Sequence, residues 1–115
     1  MTQMIYHMCP AAAWEEAVTA GQYHGTEDDR RDGFIHFSTG DQIAESARRH
    51  RAGQEGLVLI AVESARLRNR LRWEPSRGGT LFPHLYGALF PSEAASVEPL
   101  PLGPDGEHMF PPLRE

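Results

Sequence analysis

The chain has 115 residues, a formal net charge of −5 and 40% hydrophobic residues, with nine prolines and eleven glycines. That length fits one domain, which can bury roughly two-thirds of its unfolded surface. The acidic balance argues against broad nucleic-acid binding, which normally needs a basic face, and no apolar run reaches the roughly 20 residues that span a bilayer. The single cysteine, Cys9, cannot form an internal disulfide. No basic region followed by an apolar stretch opens the chain, so the expectation is a cytoplasmic protein that does not engage a membrane.

Met4 to Met8 reads as a short strand ended by Cys9-Pro10. Proline suits the first position of a helix, and Ala11 to Val18 follows with Trp14, Ala17 and Val18 at core-facing spacing until Gly21. Gln22 to Asp32 is polar, with the run Glu27-Asp28-Asp29-Arg30-Arg31, and reads as an exposed loop. A second strand is expected over Phe34 to Phe37. A helix from about Gly40 to Arg51 then opens on a Thr39/Gln42 capping box and buries Ile43, Ala44 and Ala47.

Gly56 to Val62 is the most apolar run, and its β-branched content predicts a central strand covered on both faces. Ser64 to Asn69 suggests a helical turn and Leu71 to Glu74 a short strand. Pro75 to Thr80 holds Gly78-Gly79 and reads as a mobile loop. Pro83 to Gly87 reads as an edge strand, because proline lacks an N–H for the ladder. Ala94 to Leu100 is the last expected strand, and 101–115 an irregular tail. The order implies an α+β fold in a single domain over 1–115, with curved, mainly antiparallel sheets and two main helices.

Three of the six histidines share a setting. His7, His36 and His84 each sit in a strand-like stretch beside apolar residues, whereas His24, His50 and His108 read as surface. A lone histidine of this kind is more often a hydrogen-bonded core residue, but three of them point to a shared pocket. Converging imidazoles could hold a divalent metal, although short-range zinc spacing is absent and no metal is expected. They could instead bind sugar hydroxyls and stack on a base beside the Ser38-Thr39 turn. No phosphate-binding glycine loop and no nucleophile elbow occurs. Cys9 shares a strand face with His7, without a sign of activation. Every basic residue other than histidine is arginine, grouped at Arg48, Arg49 and Arg51 and at Arg66, Arg68, Arg70, Arg72 and Arg77; solvated surface is the expectation for most.

The stretches Ile5-Tyr6-His7, Gly33 to Thr39, Leu71-Arg72-Trp73-Glu74 and Phe82 to Gly87 resemble the bacterial domain-of-unknown-function family 952. The motif order is also similar to the ADP-ribosyltransferase fold, including the poly-ADP-ribose polymerase catalytic domain. In that likeness His7 matches a strand histidine, His36 falls at a tyrosine position, Gly56-Leu57-Val58-Leu59 matches an apolar strand, and His84 lies near a glutamate position. The resemblance implies His7, His36 and His84 as catalytic residues and Tyr6, Phe37, Ser38 and Thr39 as ligand-binding ones. It implies His7 on a ribose hydroxyl, His36 against a nicotinamide-like ring, and NAD as substrate rather than bound cofactor. The implied function is an ADP-ribosyltransferase-like transferase or NAD glycohydrolase. The alternative is an inactive nucleotide-binding or regulatory module with a small-molecule nucleotide ligand and no identified protein partner. A histidine metal site is a lesser alternative.

Overall fold

The most apolar segment sits where its composition requires, in the middle of a sheet. β4 (Leu57–Glu63) pairs antiparallel with β1 (Met4–Pro10) on one side and with β7 (Ala94–Leu100) on the other. β3 (Ser38–Thr39) adds to the free edge of β1, giving the order β3-β1-β4-β7. A second antiparallel sheet has the order β2-β6-β5, formed by Ile35–His36, Leu81–Leu85 and Leu71–Pro75. The helices are α1 (Ala11–Ala20), α2 (Glu27–Asp32) and α3 (Ile43–His50). The computed structural model describes residues 3–114 as one α+β domain with antiparallel sheets. Met1, Thr2 and Glu115 of the 1–115 reading lie outside the described residues, as does the Arg77 side chain.

Strand alternation divides the interior into two cores. Ile5 and Cys9 of β1, with Ile60 and Val62 of β4, pack with Trp14, Tyr23, Phe37 and Leu85. Met4, Tyr6 and Met8, with Leu57, Leu59 and Ala61, pack with Ile43 and Ala47 of α3. The four-stranded sheet is therefore covered on both faces, as the apolar run predicts.

Several expectations need correction. The polar segment read as a loop contains α2, so among the described residues a third, short α-helix joins the two main ones. Val18 is 54% exposed, because only Trp14 and Ala17 of α1 meet the core. α3 starts at Ile43, and Ser46 rather than Ala44 is buried beside Ile43 and Ala47. Only half of the expected capping box forms: Gln42 Oε1 accepts from the Thr39 N–H at 3.0 Å, with no side-chain cap given back. The Phe34–Phe37 strand is split, since Ile35–His36 joins one sheet and Ser38–Thr39 the other.

β6 is a central strand, not an edge, and it carries Pro83 at its middle. The Pro83 carbonyl accepts from the Phe37 N–H at 3.0 Å, towards β2. Its missing N–H faces the same way, beside a strand only two residues long, so little pairing is lost. Residues 77–79 form a tight turn that links β5 to β6, with Gly78 in the left-handed region at φ 62°. The tail is irregular but anchored. Phe110 and Leu113 pack on the core beside α3, and the Arg114 N–H donates to the Tyr6 hydroxyl at 2.7 Å.

Candidate functional site

Six elements, β1, α2, β2, β3, α3 and β6, converge on one cleft of about 270 Å³, and His7, His36 and His84 all line it. Tyr6, Phe37 and Ser38 line it as well, but Thr39 does not. Thr39 is instead paired with Ile5 in the β1–β3 ladder. The Tyr6 hydroxyl is taken by the backbone of Arg114, to whose carbonyl it donates at 3.1 Å, so only the Tyr6 ring is left to meet a ligand. The Ser38 hydroxyl lies 2.8 Å from that of Ser46 on α3. His50, read as surface, is a lining residue together with Arg51 at the end of α3.

The cleft is organised by α2. Thr26 caps this helix by accepting from the Asp29 N–H at 3.3 Å, while Asp29 Oδ2 accepts from the Thr26 N–H at 2.8 Å. Gly25 precedes the cap at φ 94°, and a Cβ there would lie 2.6 Å from Asp29 Cβ, so the turn needs glycine on both counts. Asp29 Oδ1 faces the site and accepts from the His36 backbone N–H at 3.1 Å and from His36 Nδ1 at 2.5 Å. Burial alone would raise the Asp29 carboxyl. The His36 ring, the His7 ring and the N–H groups of Thr26 and His36 outweigh it and hold the carboxyl at about 2. Asp29 is an ionised, buried anchor.

His7 is fully enclosed on β1. A carbonyl can only accept, so Nδ1–H donates to the His36 carbonyl at 2.6 Å, and Nε2 then accepts from the Tyr23 hydroxyl at 2.6 Å. Burial lowers the His7 pKa and outweighs the pull of Asp29, which keeps the ring neutral. With both nitrogens bound inside the protein, His7 has no donor or acceptor left for a ribose hydroxyl. Its task is to pin the strand that carries His36. Burial likewise raises Tyr23 well above its usual range and pushes the Cys9 thiol up to about 11, so Cys9 is an inert core residue.

His36 and His84 are cross-strand partners on β2 and β6. Their ring centroids lie 5.6 Å apart at 67°. Phe34 stacks on His84 at 4.0 Å and tilts over His36 at 4.5 Å. Each ring offers Nδ1 to a carboxylate, His36 to Asp29 and His84 to Glu74 Oε1 at 2.7 Å. His36 Nε2 also lies 3.2 Å from Asp32 Oδ2. Glu74 accepts a second bond from the Tyr86 hydroxyl at 2.7 Å, and these two bonds, Tyr86 first and His84 second, hold its carboxyl below the usual range. Among the described residues no group of three or more histidine, cysteine or acidic side chains is placed to hold a metal ion.

Residues 8–97 match the family described as "Protein of unknown function (DUF952)". The chain belongs to this family. Asp29, His36, Glu74 and His84 lie inside the DUF952 match, and His7 falls one residue before it. The chain is also similar to the crystal structure of Protein CC0527 from Caulobacter crescentus, with 43% identity and a TM-score of 0.89 over 92% of this chain and 93% of that one. The solution NMR structure of CC0527 gives 44% identity and a TM-score of 0.82, covering 90% of each chain. No curated protein matches. Within this DUF952 chain, sequence reasoning missed Asp29 as the residue that organises the site and Glu74 as the partner of His84. The signal for Asp29 was present: Thr26 and Asp29 are spaced as a capping box, and Gly33 follows the helix as its C-terminal left-handed residue.

Proposed function

We propose that this protein is an enzyme with an ADP-ribosyltransferase-like fold that acts on NAD or a related ADP-ribose compound in the cleft of His36 and His84. The observation that carries the reading is convergence: three histidines far apart in sequence, picked out by the motif order, line one cleft. His36 flanks a planar base, while the buried Phe37 ring and His7 act behind it as positioning residues. The third motif position holds histidine rather than glutamate. Glu74, outside the cleft lining and bound to His84 Nδ1, orients that ring and lends it negative charge, so that His84 stands between the carboxylate and a developing ribosyl cation. The glycosidic C–N bond breaks, nicotinamide leaves with the bonding pair, and water or a hydroxyl takes its place. This reading sets the protein in the cytoplasm, where NAD is plentiful.

The test is nicotinamide release from NAD by purified protein. Wild type is expected to turn over and His36→Ala and His84→Ala to lose about 10²-fold or more. No release with water or a panel of hydroxyl acceptors overturns the enzymatic reading. A second reading, a nucleotide-binding module without chemistry, is supported by the spent nitrogens of His7 and by histidine at the third position. It expects NAD or ADP-ribose to raise the melting temperature without turnover, because a ligand selective for the folded state stabilises it. Flat melting curves would sink that one.

A further inference from the structure

The two cleft histidines differ in how they are held. Both rings of the pair present Nδ1 to a carboxylate, but His36 alone has a second carboxylate at its other nitrogen. An imidazole with one N–H can donate to one carboxylate at a time, so only the imidazolium satisfies Asp29 and Asp32 together. His84 donates Nδ1–H to Glu74, which leaves a lone pair on Nε2. Glu74 lies behind His84, outside the cleft lining. The environments thus divide the pair into a proton donor and a proton acceptor.

The cleft also carries a cation. The Arg51 guanidinium is 19% exposed, donates to the His50 carbonyl at 3.0 Å and meets Asp28 only at 4.0 Å. Asp28, Asp29 and Asp32 also line the cleft, but Asp29 and Asp32 are taken up by His36 and Asp28 pairs with Arg31 at 3.2 Å, so an acid, a base and the Arg51 guanidinium are left for an anionic substrate whose nucleophile must lose a proton and whose leaving group must gain one. A nicotinamide leaving group needs no proton, so this chemistry goes beyond the NAD reading and does not rest on it.

We propose that His84 and His36 act as general base and general acid in cleaving a short ribonucleotide phosphodiester by attack of its own 2′-hydroxyl. His84 Nε2 takes the 2′-hydroxyl proton as the O2′–P bond forms. The P–O5′ bond breaks with its electron pair on O5′, which receives the proton from His36 Nε2. The products are a 2′,3′-cyclic phosphate and a free 5′-hydroxyl, and the two rings exchange their proton back through water. Arg51 faces the phosphoryl oxygens, and the net charge of −5 restricts the substrate to short pieces rather than polynucleotides.

The probe is the dinucleotide UpA, with its analogue bearing sulfur at the bridging 5′ position, a leaving group that departs without a proton. Wild type is expected to form the cyclic phosphate from UpA, and His84→Gln and His36→Gln to lose about 10²-fold or more. The sulfur substrate restores His36→Gln to near the wild-type rate and leaves His84→Gln impaired. If His84→Gln does not fold, Glu74→Gln replaces it, keeping the ring but not its orientation, with a loss expected on both substrates. No cleavage of UpA by folded wild type overturns the proposal, as does rescue of both variants or of neither. Nicotinamide release from NAD is read in a separate assay, so either activity can fail without the other.

Discussion

His7 and the His36–His84 pair sit in near-identical sequence settings and do opposite things. His7 is a buried part of the cleft wall, neutral, with both nitrogens spent on Tyr23 and the His36 carbonyl. His36 and His84 each offer Nδ1 to a carboxylate from a different element, and His36 meets a second one at Nε2. A strand histidine among apolar residues is therefore not one category. What surrounds the second ring nitrogen decides whether the residue builds the fold or faces a ligand.

That contrast can be broken most sharply at His7. His7→Ala removes a buried ring and orphans the Tyr23 hydroxyl and the His36 carbonyl, with an expected loss of about 3–5 kcal/mol by chemical denaturation. A loss no larger than that of His36→Gln, expected at about 1 kcal/mol because that ring is 42% exposed, would erase the distinction.

The next effect is pH dependence. The Asp29 carboxyl sits at about 2 in the folded protein against 3.8 ordinarily. The unfolded chain therefore takes up its proton first, and stability is lost as pH falls from about 4 to about 2. The loss amounts to about 2 kcal/mol, and Asp29→Asn should lack this limb in unfolding curves taken at stepped pH. His7 adds to the slope from higher pH with the same sign. Its folded pKa is below 6.5, so the unfolded state protonates first and stability begins to fall below pH 6.5. His7→Gln should remove that earlier limb only.

Smaller effects test how the His36–His84 pair is supported. Thr26→Ala deletes the α2 cap and is expected to lower stability by about 1 kcal/mol while loosening Asp29 from His36, visible as a change in the His36 ring resonances. Asp32→Asn should stay within about 0.5 kcal/mol, because that pair is solvent-exposed, yet it removes the second carboxylate from His36. A large stability change at Asp32 would mean that the His36–His84 pair is structural like His7.

Sequence periodicity identified β4 as the buried central strand, placed β1 and β7, and picked out His7, His36 and His84, because these depend on runs of neighbouring residues. It also put His7 and Cys9 on one face of β1, since side chains alternate along any strand. It could not tell that Phe34 to Phe37 divides between two sheets, that Pro83 lies in a central strand, or that Val18 faces solvent. Each of those outcomes depends on which distant segment packs alongside. Asp29 was hidden for a different reason: a short helix of six polar residues has no apolar stripe, and only its capping box and its terminal Gly33 mark it locally. The residue types and their strand-like settings are thus properties of the sequence alone. The tertiary structure decided that His7 and His84 are buried and His36 half-exposed, and which partners each ring nitrogen meets, because both are set by contacts across the whole chain.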